Sequence, residues 1–266
     1  MLLLALFACA DPPVEAPPSD EGVTLDEMTL GAIVAFDDPE GADHVAELHD
    51  WLLANQAEWA AEGFTGGYTL GVVDEDDLGS VEHSDGTVWA EVLGAGVPLA
   101  VRGTLDGYAD AATEEDQSFA DPATYIEWTR TITGGSAEAF VGGEPMQTDN
   151  VIEKGGPFGV VIPYEANKDF RWFDGVLAAR TWVPEEGWGD DGKNGIICGF
   201  TIELWFEAPA VDGGTEVVWY NGSWTQIATV IGDEFPEDVL ISQFIDGTID
   251  YMLGTEAFVM GEFTPE

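Results

Sequence analysis

The chain has 266 residues, with Lys+Arg 7 against Asp+Glu 52, a formal net charge of −45 and a sequence pI near 4.1. That charge repels phosphate backbones and anionic lipid surfaces, which excludes nucleic-acid binding through a basic face. With 45% hydrophobic residues, 10 Trp and 14 Phe, it is also too apolar for a disordered acidic tail, so a packed core is expected.

Leu2 to Ala8 is an apolar run ending at Cys9. It is too short for a transmembrane helix, which needs about 20 residues. The stretch Leu6-Phe7-Ala8-Cys9 resembles a bacterial lipobox, although Phe7 is bulkier than that pattern prefers and no Lys or Arg stands upstream. The resemblance implies a signal peptide over 1–9, lipidation at Cys9 and, with Ala10 following, a bacterial cell-envelope protein held at the outer membrane through its lipid anchor only. Asp11 to Gly22 carries four prolines and several acids, so 10–37 is expected to be a flexible tether. Lipidation of Cys9 leaves Cys198 without a disulfide partner, as a small buried hydrophobe.

The folded body is expected over 38–266 as a single domain. Asp38 suits a helix N-cap with Pro39 at the first helical position; Val45, Leu48, Leu52 and Trp59 then share one face, and Gly63 is a stop. From Gly66 to Ile231 the pattern is mostly strand: Tyr68–Val73, Thr87–Leu93, Val97–Leu105, Tyr125–Thr133, Phe158–Tyr164 and Val176–Val183. The clearest alternation runs from Ile196 to Glu207. There Ile196, Cys198, Phe200, Ile202, Leu204 and Phe206 share one face, while Thr201, Glu203, Trp205 and Glu207 share the other. Thr215–Tyr220 and Trp224–Ile231 follow, with Asn221-Gly222 between them as a hairpin signal.

A closing helix starts near Pro236. Ile241, Phe244 or Ile245, Ile249 and Met252 or Leu253 recur along it, and Gly254 is a stop. Gly247 inside this helix costs about 1 kcal/mol relative to Ala, which suggests close packing on a sheet. The fold class is therefore α+β: a curved antiparallel β-sheet packed on a long C-terminal helix, with an additional N-terminal helix. The closing helix is expected to cover the apolar face of the sheet.

Gly213 to Tyr220 (GGTEVVWY), followed by the helix over 238–253, resembles the end of START-like domains, the polyketide-cyclase and lipid-transfer superfamily with a helix-grip fold. The resemblance covers roughly residues 87–254. It implies an apolar cavity between sheet and helix that holds a hydrophobic small molecule or lipid, lined by Phe200, Ile202, Leu204, Phe206, Ile241, Phe244 and Ile245. The alternative is that these side chains fill a solid core and the chain is a structural or partner-binding lipoprotein.

Catalytic and metal signals are sparse. His44, His49 and His83 form no HExxH, and no G-x-S-x-G elbow, phosphate loop or C-x-x-C occurs. Asp190 to Gly195 fits a calcium loop only in part, since Gly192 and Thr201 stand where ligands are needed. No catalytic residue, metal or cofactor is expected, and the chain reads as a non-enzyme. Glu203 is the one mid-strand carboxylate to test for acid–base work, on a face expected to meet solvent. Arg102, Arg130, Arg171 and Arg180 lie in or beside strands, placed either to pair with acids or to hold an acidic head group. The high charge favours a soluble monomer.

Overall fold

The computed structural model describes residues 14–19, 22–38, 40–62, 64–79, 81–155, 159–210, 213–229 and 236–263. Cys9, Pro39 and Gly63 lie outside them, and with Cys9 the expected lipidation.

Thr24 and Glu27 cap each other: Thr24 Oγ1 accepts from the Glu27 amide, and Glu27 Oε2 accepts from the Thr24 amide at 2.9 Å. They open α1 (Leu25–Val34), which buries Leu25, Met28, Thr29, Ala32 and Ile33. This helix lies inside the stretch 10–37 expected to be a tether, so the packed body begins before Asp38. Next comes α2 (Gly41–Ala54), burying Val45, Leu48, Trp51 and Leu52, and a single turn α3 (Gln56–Trp59). The N-cap of α2 is Glu40 rather than Asp38.

The strands are β1 (Val14–Glu15), β2 (Tyr68–Leu70), β3 (Leu93–Val101), β4 (Tyr125–Gly134), β5 (Met146–Gly155), β6 (Val161–Phe173), β7 (Val176–Trp182), β8 (Gly187–Trp188), β9 (Gly195–Pro209) and β10 (Thr215–Ala228). Short helices α4 (Leu105–Ala112) and α5 (Ala137–Val141) interrupt them, and α6 (Glu237–Val259) follows the last strand. The sheet order is β1-β2-β3-β10-β9-β7-β6-β5-β4, with β8 beside β9 off this path. Among the described residues only β1 and β2 pair in parallel.

Asn221-Gly222 is not a hairpin. Asn221 faces Glu203 of β9 and Val97 of β3 in an unbroken β10. Ladders on both sides of a central strand outweigh the local turn preference of that dipeptide. The expected strand over 87–93 is instead a 3-10 turn at Trp89–Glu91, with β3 starting at Leu93. The strand β5 had no counterpart in the sequence reading.

Both faces of the sheet are covered, and the closing helix lies on the face opposite to the one expected. Cys198, Phe200, Ile202, Leu204 and Phe206 of β9 pack with Leu25, Met28 and Ile33 of α1 and with Leu48 and Leu52 of α2. The closing helix lies on the other face, where Ile241, Ile245 and Met252 join Trp205, Trp219 and Leu177. Tyr251 of α6 stacks on Trp128 of β4 at 5.9 Å between ring centroids and meets Trp219 of β10 edge-on at 5.2 Å. Those strands are five sheet positions apart, roughly 24 Å if the sheet were flat. The sheet therefore curves around α6.

Candidate ligand-binding site

Strand parity puts a set of polar side chains on the face toward α6. Residues directly opposite each other in a sheet share a face, and the register aligns Thr148, Lys168, Thr181, Thr201 and Ser223 in one row across β5, β6, β7, β9 and β10. The neighbouring pair Glu203 and Asn221 continues this polar floor. On the far side of the row come Asn150 and Val183, then Trp128, Ile152 and Tyr164, which are paired across β4, β5 and β6.

Between this face and α6 lies a cavity of about 770 Å³. Its inner end is the polar floor, and its walls include Trp128, Ile152, Tyr164, Ile196, Phe244 and Tyr251. Lys154, Lys193 and Glu237 also line it and are half-buried or exposed, marking the mouth.

Two glycines of α6 stand in different surroundings. A Cβ at Gly254 would fall 1.9 Å from the Ala120 carbonyl oxygen, so close approach is required there, and the helix runs on through this residue instead of stopping. A Cβ at Gly247 would meet nothing within 4 Å; this glycine lines the cavity, which replaces the close packing expected at that position.

Lys168 and Glu203 form an ion pair with 4% and 2% of their side chains exposed. The Tyr251 hydroxyl donates to the second Glu203 oxygen at 3.2 Å, tying the helix to the floor. Burial pushes the Lys168 ammonium below the usual lysine range; Glu203 opposes that shift and nearby Arg130 adds to it. Arg130, also buried, is pushed down to about 10 by loss of solvation. Its Nε donates to Asn150 Oδ1 at 2.9 Å and one terminal nitrogen donates to the Ala112 carbonyl at 2.7 Å. Trp128 Nε1 donates to the same Asn150 oxygen at 3.1 Å, which fixes the amide in place. The Tyr251 and Tyr164 hydroxyls are driven well above the ordinary tyrosine range, chiefly by burial.

Of the expected lining residues, Phe244 does line the cavity. Ile241 and Ile245 lie in the solid core between α6 and β3, and Phe200, Ile202, Leu204 and Phe206 lie across the sheet against α1 and α2. The physical reason is that the apolar stripe of β9 was already claimed by α1, leaving the polar stripe to the closing helix. Glu203, expected to meet solvent, is buried beneath α6. Lys168, Asn150, Asn221 and Tyr251 were not singled out from sequence as site residues; Lys168 stands between Asn167 and Asp169, both poor strand formers, and its one signal was the scarcity of cations in the chain. Arg102 pairs with Glu256 and Glu262, Arg171 with Asp37, and Arg180 with Asp37 and Asp169. Cys198 is a free, buried thiol. Asp191 spends its carboxylate on its own turn, accepting from the Lys193 and Asn194 amides. Among the described residues no group of three or more His, Cys, Asp or Glu is placed to hold a metal ion.

No protein-family model matches the chain, and no curated protein matches it. Solved structures of similar shape include a STAR-related lipid transfer protein from Xanthomonas axonopodis, at 10% identity and a TM-score of 0.44 over 75% of this chain and 97% of that one. A major latex-like protein from Panax ginseng aligns at 10% identity and a TM-score of 0.36 over 63% of this chain and 97% of that one. The di-domain ARO/CYC protein StfQ of the steffimycin biosynthetic pathway aligns at 12% identity and a TM-score of 0.39, over 64% of this chain and 52% of that one. These likenesses are too distant to say what the present chain binds.

Proposed function

We propose that this protein is a binding protein that holds a hydrophobic small molecule or lipid in the cavity beneath α6, and that it works as a monomer at a bacterial cell envelope. The observation that carries this reading is the cavity itself. Its 770 Å³ falls in the range of small-molecule sites, about 300–1,000 Å³, and it combines aromatic and aliphatic walls with a few polar groups at one end. The lipobox-like Leu6 to Cys9 and the prolines after it support anchorage through lipid at Cys9.

Native mass spectrometry of the body purified from its producing cells tests the binding reading. A bound species between about 200 and 600 Da released on denaturation is expected for a site of this size. An apo mass together with failure to take up any apolar dye would overturn it. Anchorage has its own test: the full chain partitions into detergent, and Cys9→Ser moves it to the aqueous phase.

A further inference from the structure

All three lysines of the chain, Lys154, Lys168 and Lys193, line this one cavity. Three glutamates, Glu91, Glu203 and Glu237, line it too, so the lining is formally neutral in a chain of charge −45. Arg130 stands directly behind it, held by Asn150, and among the described residues no carboxylate lies within 4 Å of its guanidinium. The other three arginines each pair with acids. At the enclosed inner end, the charged groups are therefore Arg130 and Lys168 against Glu203 alone, two cations to one anion.

Uncompensated charge away from water is costly, and in a chain with 52 acids a spare carboxylate was available to remove the imbalance. The floor also keeps hydrogen-bonding capacity unused. Among the described residues, the side chains of Asn221, Thr201 and Ser223 make no hydrogen bond, and the Thr181 hydroxyl is buried without a partner. Beyond this polar row, the cavity turns apolar at Val183, Ile152, Trp128 and Ile196.

Resting on the binding reading above, we infer that the ligand is an amphipathic monoanion, of the long-chain carboxylate class. Its head group sits at the inner end beside Lys168, Thr181, Ser223 and Asn221, and its apolar body runs past Trp128 and Ile152 toward the mouth. The carboxylate balances the surplus positive charge of the Arg130–Lys168–Glu203 group and takes up the unused donors. Arg130 is a positioning residue, acting through Asn150 and through its field. Screening by salt is weak for charges this enclosed, so the preference should persist at raised ionic strength.

Isothermal titration of the full chain with dodecanoate, 1-dodecanol and dodecylamine tests this directly. Dodecanoate is expected to bind roughly tenfold or more tighter than the alcohol, the scale of one charge-assisted hydrogen bond, and the amine weakest. Arg130→Met should shrink the preference for carboxylate over alcohol. Asn221→Asp, of nearly the same shape and making no demand on Arg130, should invert it in favour of the amine. Equal binding of carboxylate and alcohol by the unaltered chain overturns the head-group inference while leaving the cavity reading intact. Failure of all three to bind overturns both.

Discussion

Gly247 and Gly254, seven residues apart on α6, stand in opposite surroundings: the first is exposed at the rim of the cavity with nothing near it, and the second touches the Ala120 carbonyl. Helix propensity alone treats them alike, at about 1 kcal/mol below Ala each. Gly247→Ala should therefore stabilise the protein by up to about 1 kcal/mol, because the added methyl meets nothing. Gly254→Ala should destabilise it by roughly 1–3 kcal/mol, since the backbone contact must open. Urea midpoints of the two variants, moving in opposite directions from the parent, check the placement of α6.

The Lys168–Glu203 pair invites a paired test. Glu203→Gln leaves a buried ammonium without its counterion and should cost roughly 3–5 kcal/mol. Replacing both partners, as Lys168→Met with Glu203→Leu, should cost clearly less than the single variant, because two desolvated charges vanish together and the remaining loss is the acceptor of the Tyr251 hydroxyl. Chemical denaturation of the single and double variants reads the difference.

Alkaline stability follows from the tyrosines. Tyr68, Tyr108, Tyr164, Tyr220 and Tyr251 are all raised in the folded state, with burial as the leading cause. Their unfolded counterparts ionise near about 10. Above that pH the folded chain binds more protons than the unfolded one, so stability falls as pH rises. Arg130, lowered to about 10 in the fold, contributes with the opposite sign in this range and Lys168 mainly below it, but they are two groups against five. Urea midpoints should drop steeply from about pH 10 upward, and ultraviolet titration of the folded protein should show most tyrosines ionising only as it unfolds.

Salt acts on the charge imbalance as a whole. Few of the 52 acids have a basic partner, since seven Lys and Arg are available. The Debye length shrinks from about 10 Å at 0.1 M to about 3 Å at 1 M, which relieves repulsion among exposed carboxylates. The melting temperature is expected to climb with NaCl over that range, and a flat response would contradict carboxylate repulsion as a destabilising force in this fold.

The α+β class, the long antiparallel sheet and the closing helix were legible because β9 alternates cleanly and α6 repeats its apolar residues at helical spacing. Which helix covers which face was not. Period-two alternation says that two faces differ, but says nothing of which partner each one meets, and here the polar stripe of Thr201 and Glu203 is interior as well. The helix α1 was hidden by the proline-rich stretch before it, although Thr24 with Glu27 and the spacing of Leu25, Met28, Ala32 and Ile33 carried its signature. In β5, Met146, Thr148, Asn150 and Ile152 alternate as buried residues, but two of the four are polar, so the strand lacks the hydrophobic pattern that reveals such elements. The site itself was invisible for the same reason: Lys168, Asn150 and Asn221 are polar residues inside the protein, which only the register brings together.

The claim that a ligand occupies the space beneath α6 is tested most directly by filling that space from the helix side. Gly247→Leu places a bulky side chain where no atom now stands within 4 Å, at a position where a better helix former also favours folding. Titrated with a fluorescent fatty-acid probe, the parent should bind with one site per chain, and the variant, melting at the same temperature or higher, should lose binding by roughly a hundredfold. Ser223, 2% exposed and lining the cavity, gives the same test from the floor, and undiminished binding by folded Gly247→Leu and Ser223→Leu alike would mean that the probe sits elsewhere and that this cavity is not the site.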